Sequence, residues 1–183
     1  MNNSHPYPFD LSVVLPVYNE VDNVYPVHEE LASVLSGLNL RYEIIYVDDG
    51  SRDGTTQKIT ELAEAHPDTV RAVLLRRNFG QTAAIQAGID HANGAIIALM
   101  DADLQNDPHD IPLMLEQMEI EGYDLVSGWR KNRKDRALSR KLPSRIANRL
   151  ISKVTGVHIH DYGCTLKTYR REVLDHVRLY GEM

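Results

Sequence analysis

Apolar runs that alternate with amphipathic stretches constrain this chain more than any other feature. Leu11–Leu15, Tyr42–Val47, Val70–Leu75, Ala95–Met100 and Tyr123–Ser127 read as strands. Val21–Leu35, Thr55–Ala65, Thr82–His91 and Ile111–Ile120 carry apolar residues at helical spacing and read as helices. Parallel neighbours need a crossover connection, usually a helix, and such helices cover both faces of a sheet. The expectation is therefore an α/β fold, a Rossmann-like three-layer sandwich around a mostly parallel central sheet. Ligands of such sheets bind beyond the carboxyl ends of the strands. The chain has no internal repeat and no low-complexity linker.

Those strand ends carry unusual polar clusters. Pro16-Val17-Tyr18-Asn19-Glu20 follows the first strand. Pro16 fixes a turn, and Tyr18 offers a face on which a base can stack. Val47-Asp48-Asp49-Gly50-Ser51-Arg52-Asp53-Gly54-Thr55 follows the second. Gly50 allows a tight turn, Asp53 can cap the next helix, and an Asp here can accept hydrogen bonds from a base or ribose. Arg76-Arg77-Asn78-Phe79-Gly80-Gln81 follows the third, and Asp101-Ala102-Asp103-Leu104-Gln105 the fourth. Any one cluster is ordinary turn chemistry. Four at consecutive strand ends of one sheet are more than turns require.

The fourth cluster is the most specific. Side chains at i and i+2 of an extended segment point the same way, so Asp101 and Asp103 are expected to face one point. Mg²⁺ binds one or two carboxylates plus substrate phosphates, so such a pair can hold a metal on a diphosphate. The plainer reading is an acidic turn before a helix, with Asp103 or Asp107 as N-cap.

The ordered set P-V-Y-N-E, V-D-D-G-S-R-D-G-T, R-N-F-G-Q and D-A-D-L-Q resembles the family 2 inverting glycosyltransferases of GT-A fold, in particular the polyprenyl-phosphate glycosyltransferases. Gly128-Trp129-Arg130, the basic stretch to Lys153 and Asp161-Tyr162-Gly163-Cys164 extend the likeness, which runs from about Leu11 to Arg171. The resemblance implies that Pro16, Tyr18, Glu20, Val47, Asp48, Asp101 and Ala102 bind the nucleotide. It implies that Asp101, Asp103 and Gln105 hold Mg²⁺ or Mn²⁺ on the diphosphate, with Asp103 and Arg130 catalytic. Arg130, Arg140 and Ser144 would meet the acceptor phosphate. The implied donor is a UDP- or GDP-sugar, and the implied acceptor is a polyprenyl phosphate at the cytoplasmic membrane face. Such an acceptor is already anionic and needs placement rather than a general base. The family pattern continues with a further strand and a basic R-x-x-G-x-S-K-like segment. The expected organisation is thus a polar tail over residues 1–10 and a catalytic domain over 11–183, shortened at its C-terminal end.

Charge is unevenly spread. Ten of the chain's twenty Lys and Arg residues fall between Arg130 and Lys153, with Asp135 the only acid there, although the formal net charge is −6. That asymmetry suits an anionic partner. Within the basic segment 130–156, Leu142, Ile146, Ala147, Leu150, Ile151 and Val154 recur at helical spacing beside Arg140, Lys141, Arg145, Arg149 and Lys153. With the family likeness, the expectation is an interfacial helix on an anionic membrane surface. A helix packed on its own domain has the same spacing. Nucleic acid is not expected, because interleaved aromatics and any recognised module are missing. Cys164 is the only cysteine, so an intrachain disulfide is excluded and a reducing compartment is expected. No apolar run approaches the ~20 residues of a membrane span. His28, His66, His91, His109 and His176 are expected at the surface or in caps rather than in catalysis.

Two other readings stay open. One is a nucleotide-sugar-binding fragment without turnover. The other is a transferase with a soluble sugar or protein acceptor, for which Asp161 is the one candidate base. Self-association is also left open. A dinucleotide-dependent oxidoreductase is excluded, because no G-x-G-x-x-G follows the first strand.

Overall fold

In the computed structural model, which describes residues 6–129 and 163–179, the expected alternation is present. The elements are β1 (Phe9–Val17), α1 (Val24–Ser36), β2 (Tyr42–Asp48), α2 (Thr55–Ala65), β3 (Val70–Leu74), α3 (Gln81–His91), β4 (Gly94–Leu99), α4 (Asp110–Glu121), β5 (Leu125–Ser127), β6 (Lys167–Arg170) and α5 (Arg171–Leu174). The sheet order is β3-β2-β1-β4-β6-β5. β1, β2, β3 and β4 run parallel to one another, and β6 runs antiparallel between β4 and β5. The carboxyl ends of the first four strands therefore share one edge. After β3 the chain crosses back to the other side of β1 to make β4.

The pleat of β1 sorts the two covering layers. Leu11, Val13, Leu15 and Val17 share a core with Val24, Leu31 and Leu35 of α1, Ile59 of α2, and Ile111 and Leu115 of α4. Val14 points the other way, into a core with Ile45, Val47, Ala84, Ile97 and Leu174. Helices α1, α2 and α4 thus cover one face, and α3 and α5 the other. Fully burying one such aliphatic side chain contributes about 1.5–3 kcal/mol. Helix α3 lies very close to the sheet. A Cβ on Gly88 would sit 2.2 Å from Val14 Cγ1 and 3.0 Å from Val47 Cγ2.

The opposite edge is tied by buried polar groups. Glu43 Oε1 accepts hydrogen bonds from Ser12 Oγ (2.7 Å) and Asn93 N (2.6 Å), and its Oε2 lies 3.3 Å from Arg71.

Three expectations are corrected. β6 is absent from the sequence reading because four residues are too short to show a period. Helix α1 starts at Val24 rather than Val21, because Glu20 O first accepts from Asn23 N and Val24 N in a turn. His28 is buried rather than superficial. Its Nδ1 lies 3.2 Å from Tyr46 Oη, and its ring centroid is 5.2 Å from that of His66. Burial, and then the nearby His66, push the His28 pKa down.

Two outcomes are expected. Gly88→Ala gains up to about 1 kcal/mol of helix propensity but forces an overpacked contact that costs about 1–3 kcal/mol or more. Net destabilisation in urea unfolding is expected. His28 binds its proton more weakly folded than unfolded, so stability is full above the ordinary His pKa of about 6.5 and is lost as pH falls from there through the folded value. Unfolding midpoints measured from pH 8 to 5 should fall less steeply in His28→Gln than in the parent chain.

Candidate active site

Four loops leave the shared carboxyl edge, and hydrogen bonds lash them together. The first loop is fastened to the second. Asn19 N donates to Ser51 Oγ (2.9 Å), Arg52 N to Asn19 Oδ1 (2.9 Å), Glu20 N to Thr55 Oγ1 (2.9 Å) and Val21 N to Asp53 Oδ2 (3.1 Å). Asp53 also accepts from Thr55 N and Oγ1. Burial opposes its charge, but these bonds outweigh burial and hold its carboxyl below the ordinary range. Pro16 lacks an N–H, and it is tolerated because β4 has stopped pairing by then. The last β1–β4 pair is Val14–Leu99, followed by a bond from Met100 N to Val14 O.

The second loop holds the third. Asp49 is buried, and its carboxylate accepts from Phe79 N (2.7 Å) and Gly80 N (2.9 Å). Gly50 makes this approach feasible. Its φ is +73°, and a Cβ there would meet the Arg77 backbone at 2.5 Å. The third loop in turn reaches the fourth. Gln81 Nε2 donates to Asp101 Oδ1 at 2.7 Å. On the other side, Thr165 Oγ1 donates to Asp101 Oδ2 at 2.5 Å.

These loops enclose an open cleft of about 480 Å³. It is lined by Pro16, Val17, Tyr18 and Glu20 after β1, Asp49 after β2, Asn78, Gly80, Gln81 and Ala84 around the start of α3, and Asp101, Ala102 and Asp103 after β4. The chain reverses between β1 and β4, so the cleft sits at the topological switch point of the sheet. Four carboxylates line it, and among the described residues no Lys or Arg does.

The structure gathers Pro16, Tyr18, Glu20, Asp101, Ala102 and Asp103 in this cleft. Asp101 and Asp103 do not lie on extended chain, however. The backbone bends through residues 102–104, with Leu104 at φ +60°, and Asp103 Oδ1 accepts from Gln105 N at 3.0 Å. A leucine in the left-handed region costs about 1 kcal/mol or more. Three expected residues are not in the lining. Val47 is buried in the core beneath α3. Asp48 is buried, and its carboxylate accepts from Ser51 N (3.0 Å) in its own loop and from Thr56 Oγ1 in the first turn of α2. Gln105 is exposed beyond the bend. Arg130, Arg140, Ser144, Asp161 and the basic segment 130–156 lie outside the described residues.

Asp49, Gln81 and Thr165 had no assigned role in the sequence reading. The R-N-F-G-Q cluster was the available signal for Gln81. Nothing local signals Thr165, which is 64 residues from Asp101. Among the described residues, Glu30, Asp107 and His109 form a compact exposed cluster of metal-ligating types, but none of them lines the cleft. The backbone N–H of His109 holds the Asp107 carboxyl below its usual range. No described helix is long and apolar enough to cross a membrane.

Comparisons with known proteins agree with this fold. Residues 12–178 match the family model Glycosyl transferase family 2. The chain is 51% identical over 174 residues to dodecaprenyl-phosphate galacturonate synthase of Rhizobium johnstonii, covering 95% of this chain and 52% of that protein. It is 46% identical over 165 residues to undecaprenyl-phosphate 4-deoxy-4-formamido-L-arabinose transferase of Klebsiella pneumoniae, covering 90% of this chain and 50% of that protein. The chain thus spans about half the length of the curated relatives it matches. Its fold is similar to that of a mannosyltransferase from Pyrobaculum calidifontis in complex with GDP-Man and Mn²⁺, with a TM-score of 0.64, 21% identity, and coverage of 97% of this chain and 51% of that one. Glucosyl-3-phosphoglycerate synthase from Mycobacterium tuberculosis in complex with UDP is similar too, with a TM-score of 0.69, 21% identity, and coverage of 91% and 58%.

The Asp49 geometry yields one prediction. Asp49→Ala removes two charge-assisted hydrogen bonds and leaves two loop N–H groups without their acceptor. A loss of roughly 3 kcal/mol or more in urea unfolding is expected. An unchanged unfolding midpoint would show that the third loop does not depend on this carboxylate.

Proposed function

The chain belongs to glycosyl transferase family 2, and from that premise we propose that it moves a sugar from a nucleotide-diphosphate sugar to a polyprenyl phosphate, with inversion at the sugar carbon and with Mg²⁺ or Mn²⁺ bound. The observation that carries this reading is the lining of the cleft. Glu20, Asp101 and Asp103 line it with carboxylates, and the buried Asp49 carboxylate lies beside them, bonded to Phe79 N and Gly80 N. An anionic diphosphate enters so acidic a surface most readily with a cation. Carboxylate oxygens are the ligands that hard divalent cations take, so the donor set fits a metal. Asp101 and Asp103 are the residues that would hold it. When bound, the ion would neutralise charge on the departing nucleoside diphosphate.

The remaining work falls to the chain's own residues. Tyr18, half-exposed at the cleft, offers its ring to the nucleotide base. Pro16, Glu20 and Ala102 shape the nucleotide's surroundings. An acceptor phosphate oxygen attacks the sugar carbon, the bond to the diphosphate oxygen breaks, and the nucleoside diphosphate leaves with the electron pair. The acceptor carries its own negative charge, so no proton need be removed. The acceptor-phosphate roles of Arg130, Arg140 and Ser144 rest on the family likeness. The names of the relatives support a polyprenyl phosphate acceptor, and that acceptor together with the basic segment supports a site of action at the inner membrane face. The UDP and GDP-Man named for the structural neighbours support a nucleotide-sugar donor.

Two measurements test the reading. Asp101→Asn or Asp103→Asn should weaken UDP or GDP binding roughly tenfold or more in Mn²⁺, and far less in EDTA, by isothermal titration. Equal loss in both conditions would remove the metal role. Incubation with radiolabelled nucleotide sugars and undecaprenyl phosphate should yield a labelled lipid. Binding without lipid product would favour a donor-binding fragment, and a labelled soluble product would favour a different acceptor.

A further inference from the structure

We propose that Gln81 is a positioning residue that sets the Asp101 carboxylate for a divalent cation, with Asp49 holding Gln81 in place through the backbone of the third loop. The inference rests on the reading of Asp101 as a metal-binding residue. Asp101 follows the end of β4 and precedes the bend over residues 102–104. Its two oxygens are held from two sides. Gln81 Nε2 donates to Oδ1 at 2.7 Å from the start of α3, and Thr165 Oγ1 donates to Oδ2 at 2.5 Å from the segment before β6. Both donors are neutral. These two bonds orient the carboxylate and carry no charge of their own, unlike bonds from an Arg or Lys.

The anchor of Gln81 is equally specific. Asp49 accepts from Phe79 N and Gly80 N, the two residues immediately before Gln81. Asp49 N in turn donates to Val17 O at 2.8 Å, at the end of the central strand. A continuous path of hydrogen bonds and two covalent links thus runs from β1 to Asp101. Hydrogen-bonding partners behind a metal ligand commonly change metal affinity 10–100-fold when removed. A glutamine that merely fastened α3 to the next loop would change stability and leave metal affinity alone.

The test uses the full chain and Mn²⁺ titrations in the presence of UDP and of GDP, followed by the electron paramagnetic resonance signal of free Mn²⁺. Gln81→Ala should weaken Mn²⁺ binding about tenfold or more, with nucleotide binding in EDTA unchanged. Gln81→Met keeps the length and apolar contacts but lacks the donor, and it should match Gln81→Ala. Combining Gln81→Ala with Asp101→Asn should be no worse than Asp101→Asn alone, because the glutamine acts through that carboxylate. Unchanged Mn²⁺ affinity in Gln81→Met, while Asp101→Asn loses it, would overturn the inference and leave the metal reading standing. Additive losses in the double variant would overturn it as well. If Asp101→Asn itself keeps full Mn²⁺ affinity, the metal reading falls and the positioning role falls with it.

Discussion

Everything in this molecule depends on the pairing of one strand along both of its edges. β1 bonds to β2 on one side and β4 on the other, in parallel on both. A strand buried on both edges and both faces is apolar except where a polar group is bonded: Leu11, Val13, Val14 and Leu15 are fully buried, and the buried Ser12 donates to Glu43. Because β2 and β3 extend the sheet in one direction and β4 starts it in the other, the loops after β1 and β4 diverge. The gap between them becomes the cleft. No residue in the lining has to create this concavity. It follows from the order in which the strands were laid down.

The loops around the cleft are then made rigid by carboxylates that point inward to backbone rather than outward to ligand. Asp48 satisfies Ser51 N, Asp49 satisfies Phe79 N and Gly80 N, and Asp53 satisfies Val21 N and Thr55 N. Only Glu20, Asp101 and Asp103, with one edge of Asp49, remain to shape the chemistry of the opening. In the D-D-G-S-R-D-G-T segment most of the acidic residues therefore build the walls. Loops of this kind usually need tertiary contacts to hold one conformation, and here side chain to backbone bonds supply them.

The layered sheet was legible because long-range order left a short-range trace. Each strand from β1 to β5 is an apolar run, and each of α1 to α4 shows its apolar stripe at helical spacing. β6 left no such trace. Lys167, Thr168, Tyr169 and Arg170 alternate only weakly, and their strand character comes from pairing with β4 and β5. The site was legible to the extent that polar residues cluster at strand ends. Asp101 and Asp103 were found, but for a geometric reason that the bend at Leu104 replaces. Asp48 and Asp49 look alike in sequence, yet one turns back into its own loop and the other crosses to the third. Adjacent residues at a strand end face opposite ways, and the sequence does not say which face holds the cleft. His28 misled for a similar reason: a histidine on the inner stripe of a helix reads as polar, while its burial is decided by Tyr46 on a strand 18 residues away.

The antiparallel insertion of β6 has a consequence for the order of events during folding. Among the described residues β5 pairs only with β6, whose first residue lies 40 positions beyond the last of β5. Until β6 arrives, the open side of β4 presents unpaired backbone groups, and the three residues of β5 have nothing to align with. Closure of that side joins residues distant in sequence, Leu99 with Lys167 and Ile96 with Arg170, and the cost of gathering them must precede the contacts that repay it. A chain emerging from the ribosome would carry a four-stranded parallel core with its β4 border still open for as long as those residues are being added. Crowded translation should therefore make this border, rather than the cleft, the place where nascent copies meet one another.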